Sequence, residues 1–253
     1  MSSDKSAEAL LKAAVIDRLI SSGVLDESSV LVSELTVDNW THRTDLVLAN
    51  GRLCGFELKS ERDSLSRLPA QIKSFSRHFE KFVLVVAKKF EKRALELIKE
   101  SNGVGLWIAS NNGEITEKIR PRAKSISPEA SISLITATEL RRFLTANGIK
   151  YQKASHRSDL VNLAKKLPPN VLADGARTAI KTRFKEVHQR FLLQRELTGS
   201  YEAIPALRRT TGSRPPIALP YEAHDLTKYP TIPTEHPDLI YAPSGPVIAR
   251  SRR

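Results

Sequence analysis

The sequence predicts an α/β fold, in which a mixed β-sheet flanked by helices is followed by a small all-helical region and a Pro-rich extended tail. Three observations support this class. Amphipathic helical segments alternate with short strand patterns over residues 1–120, which predicts helices packed on a sheet. Residues 135–199 show only helical patterns. Residues 200–253 hold nine of the 14 prolines, which disfavours regular secondary structure over any length.

The first part of the chain follows the order helix, three strands, helix, strand, helix, strand. Apolar residues with period 3.6 or 2 distinguish the two kinds of element. They predict helices over 6–22, 69–81 and 90–101, and strands over 30–37, 82–87, 104–109 and 114–119 in addition to a hairpin over 43–59. Residues 1–120 are therefore expected to form the core domain.

Prolines interrupt the pattern after the core. Pro121 and Pro128 favour a linker over residues 121–134. Beyond it, helices are predicted from Thr136 or Thr138 to Asn147, over 155–166 and over 170–197. This basic helical region, 135–199, is expected to be separate from the core and to be followed by the tail, 200–253.

The positive charge is concentrated in the helical region. The net charge is +12, and residues 135–200 carry 13 Lys and Arg against 5 Asp and Glu. Such clustering favours contact with a polyanion, here DNA, although an ordinary solvated basic surface is the alternative. The predicted DNA-binding residues are Arg141, Arg142, Lys153, Arg157, Lys165, Lys166, Arg177, Lys181, Arg183 and Lys185.

Composition also indicates the compartment. The single cysteine, Cys54, rules out a disulfide framework and fits a reducing environment. The N-terminus lacks an export signal, and no apolar run approaches the ~20 residues of a membrane span. We therefore expect a cytoplasmic protein that makes no membrane contact.

The hairpin Arg43–Lys59, RTDLVLANGRLCGFELK, is the most informative stretch. Strand side chains alternate between faces, so Glu57 and Lys59 share one face, and Asp45 lies on the corresponding face of the first strand if the register allows. Asn50-Gly51 is a strong hairpin signal. Buried carboxylates and an ammonium on one face are costly unless they hold a metal or one another.

The hairpin register decides whether the two acids meet. A two-residue Asn50-Gly51 turn would put Asp45 and Glu57 on opposite faces. The acids converge only with an odd offset, either through a three-residue loop Ala49–Gly51 with a left-handed glycine or through a bulge near Gly55. We predict one of these two arrangements.

These residues suit a divalent-metal phosphodiesterase. Mg²⁺ prefers oxygen ligands and keeps several waters, so Asp45, Glu57 and the backbone carbonyl of Leu58 would suffice to hold it. The metal would activate a water that attacks the phosphate, and Lys59 would position that water or stabilise the transition state.

The pattern resembles the PD-(D/E)XK nuclease superfamily. More narrowly, it is similar to a group of bacterial proteins in which an R-x-D hairpin is followed by G-[FY]-E-[IL]-K-S-[ED]-x-D-[ST]-L-x-R-L-x-x-Q. Here these motifs are Arg43–Asp45 and Gly55–Gln71, followed by a helix and the strand Phe82–Ala87. The resemblance covers residues 6–90 well and extends weakly to Glu139-Leu140 and Arg157-x-x-Leu160, which resemble a helix-extension-helix module.

The resemblance implies a restriction-endonuclease-like core. Asp45 and Glu57 would be metal ligands and Lys59 the catalytic lysine, with Mg²⁺ as the cofactor and Mn²⁺ as a substitute. An additional acid is expected from Glu34, with Glu8 as the second choice. Gln71 stands where such cores often carry a glutamine on the following helix.

Two positions depart from the superfamily pattern. Phe75 replaces the tyrosine of the related Q-x(3)-Y pattern, and Thr44 replaces the proline before Asp45. The first departure removes a hydroxyl and puts any role of position 75 in doubt.

Two functions are therefore in competition. The first is a Mg²⁺-dependent DNA endonuclease, active in a pathway such as DNA repair or phage defence. The second is a non-catalytic module that binds nucleic acid or protein through a nuclease-like core. In the simplest alternative, Glu57 and Lys59 form a surface salt bridge beside an unrelated Asp45, and Glu34 faces solvent. A homodimer or a partner protein contacted through the Pro-rich tail is compatible with either function.

Overall fold

The computed structural model describes residues 6–37 and 41–208, together with the backbone of Leu239–Ala242 and Gly245–Ile248. The described residues form a mixed β-sheet flanked by helices and followed by a helical region. The predicted α/β class is thus confirmed. No helix among these residues is long and apolar enough to cross a bilayer.

The sheet contains six strands in the order in which they occur in the sequence. They are β1 (Val30–Val37), β2 (His42–Ala49), β3 (Leu53–Lys59), β4 (Lys81–Ala87), β5 (Gly105–Ala109) and β6 (Ile115–Ile119). The first three strands are antiparallel, β3, β4 and β5 are parallel, and β6 returns antiparallel to β5. The parallel strands are buried on both faces, as their continuous apolar runs predict.

Seven helices of six or more residues accompany this sheet in the described part of the chain. They are α1 (Ala7–Ser21), α2 (Leu68–His78), α3 (Glu91–Ile98), α4 (Pro128–Ser133), α5 (Ala137–Ala146), α6 (Arg157–Ala164) and α7 (Pro169–Thr198). Thr136 caps α5 in a reciprocal capping box with Glu139. Of the two threonines expected from the sequence as the N-cap of this helix, the structure uses Thr136.

Helices cover both faces of the sheet. The α2 face, which carries Val47, Leu84 and Leu106, packs against α2 to α7. The α1 face, which carries Leu46, Leu48 and Phe56, packs against α1 and the end of the helical region. Neighbouring strand residues therefore contribute to two different cores, as the period-two alternation requires.

The helical region is not a separate domain, which differs from the prediction for residues 121–134. The chain forms one compact unit from Met1 to Arg209. Ile126, Ile132 and Leu134 are buried, and the last two share the α2-face core with Phe184 of α7. Pro128 begins α4 instead of breaking the structure, because its missing N–H has no partner in a first helical turn.

The tail also begins later than predicted. The helix α8 (Ser200–Ala203) and the 3-10 turn Ile204–Leu207 bury apolar side chains in the α1-face core. Residues 210–253 form a second unit, in which β7 (Leu239–Ala242) and β8 (Gly245–Ile248) pair as an antiparallel hairpin. The tail prediction is therefore wrong for residues 200–207, which are helical, whereas the two strands of the hairpin have extended backbone. The expectation that the tail contacts a partner protein concerns residues outside those that the structure describes.

Candidate active site

The loop between β2 and β3 has an odd number of residues. Pairing begins with Ala49 opposite Leu53, which leaves the three-residue loop Asn50–Arg52. The central glycine has a φ of 96°, a conformation that favours glycine over other residues. Continued by one step beyond the last pair, this register puts Asp45 opposite Glu57. The predicted odd offset is confirmed, although the loop lies one residue later than expected.

The two strands stop pairing where the first acid stands. The last backbone pair joins Leu46 and Phe56. Beyond it, Oδ2 of Asp45 accepts a hydrogen bond from the backbone N–H of Leu58 at 2.7 Å. The N–H and C=O of a strand residue point to the same side, so the carbonyl of Leu58 also points towards Asp45. This geometry suits the predicted set of oxygen ligands.

Glu57 is held by two donors within the α2-face core. Lys59 Nζ and Gln71 Nε2 both donate to Oε1 of Glu57, at 2.7 and 2.5 Å. Glu57 is 1% exposed and Lys59 is 7% exposed. The pair is therefore buried, which contradicts the alternative of a surface salt bridge. Three of the predicted site residues meet at one carboxylate.

Burial controls the electrostatics of both acids. The pKa of Glu57 is raised to about 7, first by burial and then by the neighbouring Asp45 carboxylate, against the opposing effect of Lys59. The pKa of Asp45 is also raised, mainly by burial, while the hydrogen bond from Leu58 counteracts the shift. Two adjacent carboxylates that are costly to ionise without a cation are the environment expected of a metal site.

Several buried oxygen atoms have no hydrogen-bond partner among the described residues. They include Oε2 of Glu57, Oε1 of Gln71 and Oγ1 of Thr44. Thr44 pairs with Leu35, a residue of the α2-face core, so its hydroxyl lies on the same face as Glu57. Unsatisfied buried oxygens are rare, and two of these belong to Glu57 and to its donor Gln71.

These atoms fit a hard divalent cation. No group of three or more Asp, Glu, His or Cys side chains in the described ranges converges on one point. The protein ligands would therefore be Asp45, Oε2 of Glu57 and the carbonyl of Leu58, and water would fill the remaining positions. Mg²⁺ tolerates such a small protein ligand set because it releases its waters reluctantly.

The structure directs Glu34 away from this cluster. Its carboxylate lies 3.3 Å from Nη1 of Arg43, in a cleft that also contains Arg157 and Arg183. Glu34 has a φ of 60°, and it is skipped in the pairing between β1 and β2. Of the two expected sources of an additional acid, Glu8 of α1 is the one whose charge acts on Asp45.

Sequence reasoning missed two residues near the acids. In the sequence, Thr44 is only a departure from the superfamily pattern. Lys12 of α1 is 4% exposed, and its charge lowers the pKa of Asp45 against the larger effect of burial. The available signal was the spacing of Lys12, three and four residues before Val15 and Ile16, which puts it on the apolar stripe of an amphipathic helix.

Five of the predicted DNA-binding residues have partners within the protein. One is Lys165, whose Nζ lies 3.8 Å from Oε1 of the exposed Glu129, and the other four are arginines. Arg141 donates to the carbonyl of Ser155, and Arg157 donates to the carbonyls of Ile132 and Ile135. Arg177 binds Glu80 and Asp174, and Arg183 binds Glu139 and the carbonyl of Leu134. Their guanidinium groups therefore contribute to packing.

The predicted DNA contacts other than these four arginines remain at the surface. Arg142, Lys153, Lys165, Lys166 and Lys185 are exposed, and Lys181 is half-buried. Lys153 shares a shallow open cleft with Lys150 and the half-buried Tyr151, neither of which had been predicted. An aromatic ring between lysines is a combination that suits nucleic acid, because bases stack on rings and phosphates bind cations.

Comparison with known proteins places the whole helical and sheet unit in one family. A family model described as bacteriophage P4 protein cII matches residues 1–204. Protein cII of Enterobacteria phage P4 is 34% identical over 185 residues, which cover 72% of this chain and 69% of that protein. No solved structure matches. The chain therefore belongs to the bacteriophage P4 protein cII family.

Proposed function

We propose that this protein is a divalent-metal-dependent DNA endonuclease that hydrolyses phosphodiester bonds at the site formed by Asp45, Glu57 and Lys59. The observation that carries the proposal is the unsatisfied Oε2 of Glu57, buried beside Asp45. Structural ion pairs normally use both carboxylate oxygens or expose the free one, because an unpaired buried oxygen is costly. A cation ligand explains why this oxygen is free.

Each residue of the site has a separate task in this proposal. Asp45, Glu57 and the Leu58 carbonyl would hold Mg²⁺, for which Mn²⁺ would substitute. When bound, the cation would offset the negative charge of the phosphate and make a water molecule easier to deprotonate. Gln71 keeps Oε1 of Glu57 occupied, so that Oε2 faces the cation.

Lys59 would act on the reacting phosphate. Its ammonium already lies 2.7 Å from Oε1 of Glu57, within the cluster and shielded from solvent. From there it would orient the attacking water and stabilise negative charge as the phosphate becomes pentacoordinate. An ammonium in a water-poor environment contributes more to such stabilisation than one in solution.

The exposed cations of the helical region would bind the DNA backbone. Arg142, Lys153, Lys165 and Lys166 are exposed, and their contacts would provide affinity that is independent of sequence and falls as salt rises. Tyr151 adds a ring for base stacking. Lys181 and Lys185 of α7 would extend this surface.

The setting of this activity would be the cytoplasm. Cys54 is free and buried, which fits a compartment where disulfides do not form. DNA is the proposed partner. Cutting both strands of a duplex would require two active sites, so a homodimer is proposed for that substrate.

The test uses the full chain with supercoiled, linear, single-stranded and branched DNA in Mg²⁺ or Mn²⁺. Wild-type protein is compared with Asp45→Asn and Lys59→Met, and Glu34→Gln serves as a matched acid outside the cluster. Metal-dependent cleavage that is lost in the first two variants and kept in the third supports the proposal. Cleavage that survives in Asp45→Asn would refute it.

A non-catalytic DNA-binding module is the second candidate. The observation that favours it is the cleft of Lys150, Tyr151 and Lys153, which suits nucleic acid without any cleavage. This candidate predicts salt-sensitive binding to every DNA, with no cleavage in either metal. The same assay therefore separates the two functions.

A further inference from the structure

Helix α1 carries a lysine among the side chains that it packs against the sheet. Lys12 is 4% exposed, and the other buried residues of α1 are all apolar. Lysine is rarely buried, because removing an ammonium from water is costly unless an opposite charge compensates. The position of Lys12 therefore requires a negatively charged partner.

The direct contacts of Lys12 are weak. Its Nζ lies 3.8 Å from Oε1 of Glu8, a side chain that is 56% exposed. A pair with such an exposed carboxylate is strongly screened by solvent. The second contact is a 3.5 Å hydrogen bond to the neutral hydroxyl of Ser33. Neither contact compensates for a buried ammonium.

The charge of Lys12 also acts on Asp45. Burial raises the pKa of that carboxyl, and among the charges that oppose this effect Lys12 acts more strongly than Lys59. Ser33, which accepts from Lys12, also donates to the backbone carbonyl of Asp45 at 3.5 Å. Asp45 is therefore influenced by two ammonium groups, one from α1 and one from β3.

We propose that Lys12 is a substrate-binding residue whose ammonium contacts a non-bridging oxygen of the phosphodiester held at Asp45 and Glu57. The inference rests on the proposed function and adds to it a contact that the nuclease resemblance does not supply. A lysine ammonium is a compact charge well suited to phosphate oxygens. With Asp45 engaged as a cation ligand, Lys12 keeps two weak contacts within the described part of the chain and is available to the phosphate.

The decisive variant is Lys12→Met, which keeps the side-chain length and removes the charge. Lys92→Met is the matched control, because Lys92 is an exposed lysine of α3 and the charge change is identical. Binding of a short duplex DNA is measured by fluorescence anisotropy over a range of salt concentrations, with Ca²⁺ in place of Mg²⁺. Single-turnover cleavage is measured in Mg²⁺.

For Lys12→Met we expect DNA affinity to fall about 3- to 10-fold. The salt slope, which is the steepness with which the logarithm of affinity falls with the logarithm of salt concentration, should decrease by about one. Cleavage should slow by about 100-fold, the typical effect of removing one charge-stabilising donor. The melting temperature should not fall, since replacing a buried charge by an apolar side chain is often neutral or stabilising. Lys12→Arg should recover part of the affinity.

Equal binding and cleavage by Lys12→Met and Lys92→Met would overturn the inference and leave the proposed function standing. If wild-type protein cleaves nothing and Asp45→Asn binds DNA as wild-type protein does in Ca²⁺, the proposed function fails and the inference falls with it. If Lys12→Met does not fold, Lys12→Gln replaces it, and the same two outcomes decide.

Discussion

Gln71 and Glu57 meet where α2 passes over β3, and Nε2 of Gln71 donates to Oε1 of Glu57 at 2.5 Å. Lys59 donates to the same oxygen, so both donors select one side of the carboxylate. Oε2 is left without a partner among the residues that the structure describes. Because the two donors come from different elements, the orientation of Glu57 depends on the packing of α2 against the sheet.

Replacement of Gln71 should therefore weaken the site without unfolding the protein. In Gln71→Met, Glu57 loses a donor that lowers its pKa, and its carboxylate is less firmly oriented. We expect about a 10- to 100-fold loss of Mn²⁺ affinity, the usual effect of removing a group that orients a metal ligand. Isothermal titration calorimetry measures this affinity. Lys73→Met, an exposed change in the same helix, should leave it unchanged.

Asp45→Asn should make the protein more stable while removing cation binding. Burial raises the pKa of Asp45, so the ionised carboxylate opposes folding near neutral pH. Asparagine keeps an oxygen for the N–H of Leu58 and carries no charge. We expect a higher free energy of unfolding, measured by urea denaturation at pH 7. A loss of stability together with unchanged Mn²⁺ affinity would contradict this role of Asp45.

Local signals were enough to predict the hairpin. Side-chain alternation and the Asn50-Gly51 turn signal are both local features of the sequence. Together with an odd number of loop residues, they predict that Asp45 and Glu57 share one face of the sheet. The same reasoning failed at Glu34, although Val32 and Leu35 on either side both belong to the α2-face core. The positive φ of Glu34 shifts the alternation by one residue. Nothing in the neighbouring sequence signals this shift.

Long-range partners were beyond sequence reasoning. The charges of Arg177 and Arg183 were visible, but their carboxylate partners Glu80 and Glu139 are 97 and 44 residues away. The burial of residues 121–134 depends in the same way on a core that only the complete fold creates. A count of charges therefore predicted a basic region and overestimated how much of it is free to contact DNA.

The conformation of Glu34 provides a direct test of its role. A non-glycine residue at positive φ costs about 1–2 kcal/mol. Its partner Arg43 has a side chain that is 63% exposed, so their ion pair contributes little. Glu34→Gly should raise stability by about 1 kcal/mol, whereas Glu34→Ala should not, and neither should change Mn²⁺ affinity. A marked loss of affinity in both variants would instead identify Glu34 as a ligand.

Arg177 should behave as a structural residue. Its guanidinium binds both oxygens of Glu80, which is 6% exposed and also accepts from the N–H of Leu53. Arg177→Met leaves a buried carboxylate with fewer partners and should cost about 3 kcal/mol. The salt slope of DNA binding should stay unchanged.

Lys153→Met is the matched comparison for Arg177→Met. Lys153 is exposed, so its loss should reduce the salt slope by about one and leave the melting temperature within error. Thermal melts and anisotropy titrations on both variants check the pair of expectations. If Arg177→Met alters the salt slope and Lys153→Met lowers the stability, the assignment of Arg177 to structure and of Lys153 to DNA binding is wrong.

His188 should make stability depend on pH between about 4 and 6.5. Its Nδ1 accepts a hydrogen bond from the backbone N–H of Leu31 at 3.3 Å, which requires a neutral ring. Burial lowers the pKa of His188 to about 4, whereas an unfolded histidine titrates near 6.5. In this interval the unfolded chain binds the additional proton. The contribution of the neutral ring is therefore complete above about pH 6.5 and is lost as pH falls towards 4.

The variant His188→Asn isolates this effect, because asparagine offers an acceptor oxygen at the place of Nδ1 and does not titrate. Urea denaturation at pH 7 and pH 4.5 gives the loss of stability for each protein. Carboxylates titrate in both proteins, so the difference between their losses belongs to His188. We expect wild-type protein to lose roughly 2–3 kcal/mol more than the variant. Equal losses would mean that the buried ring accepts a proton without disturbing its contact with Leu31.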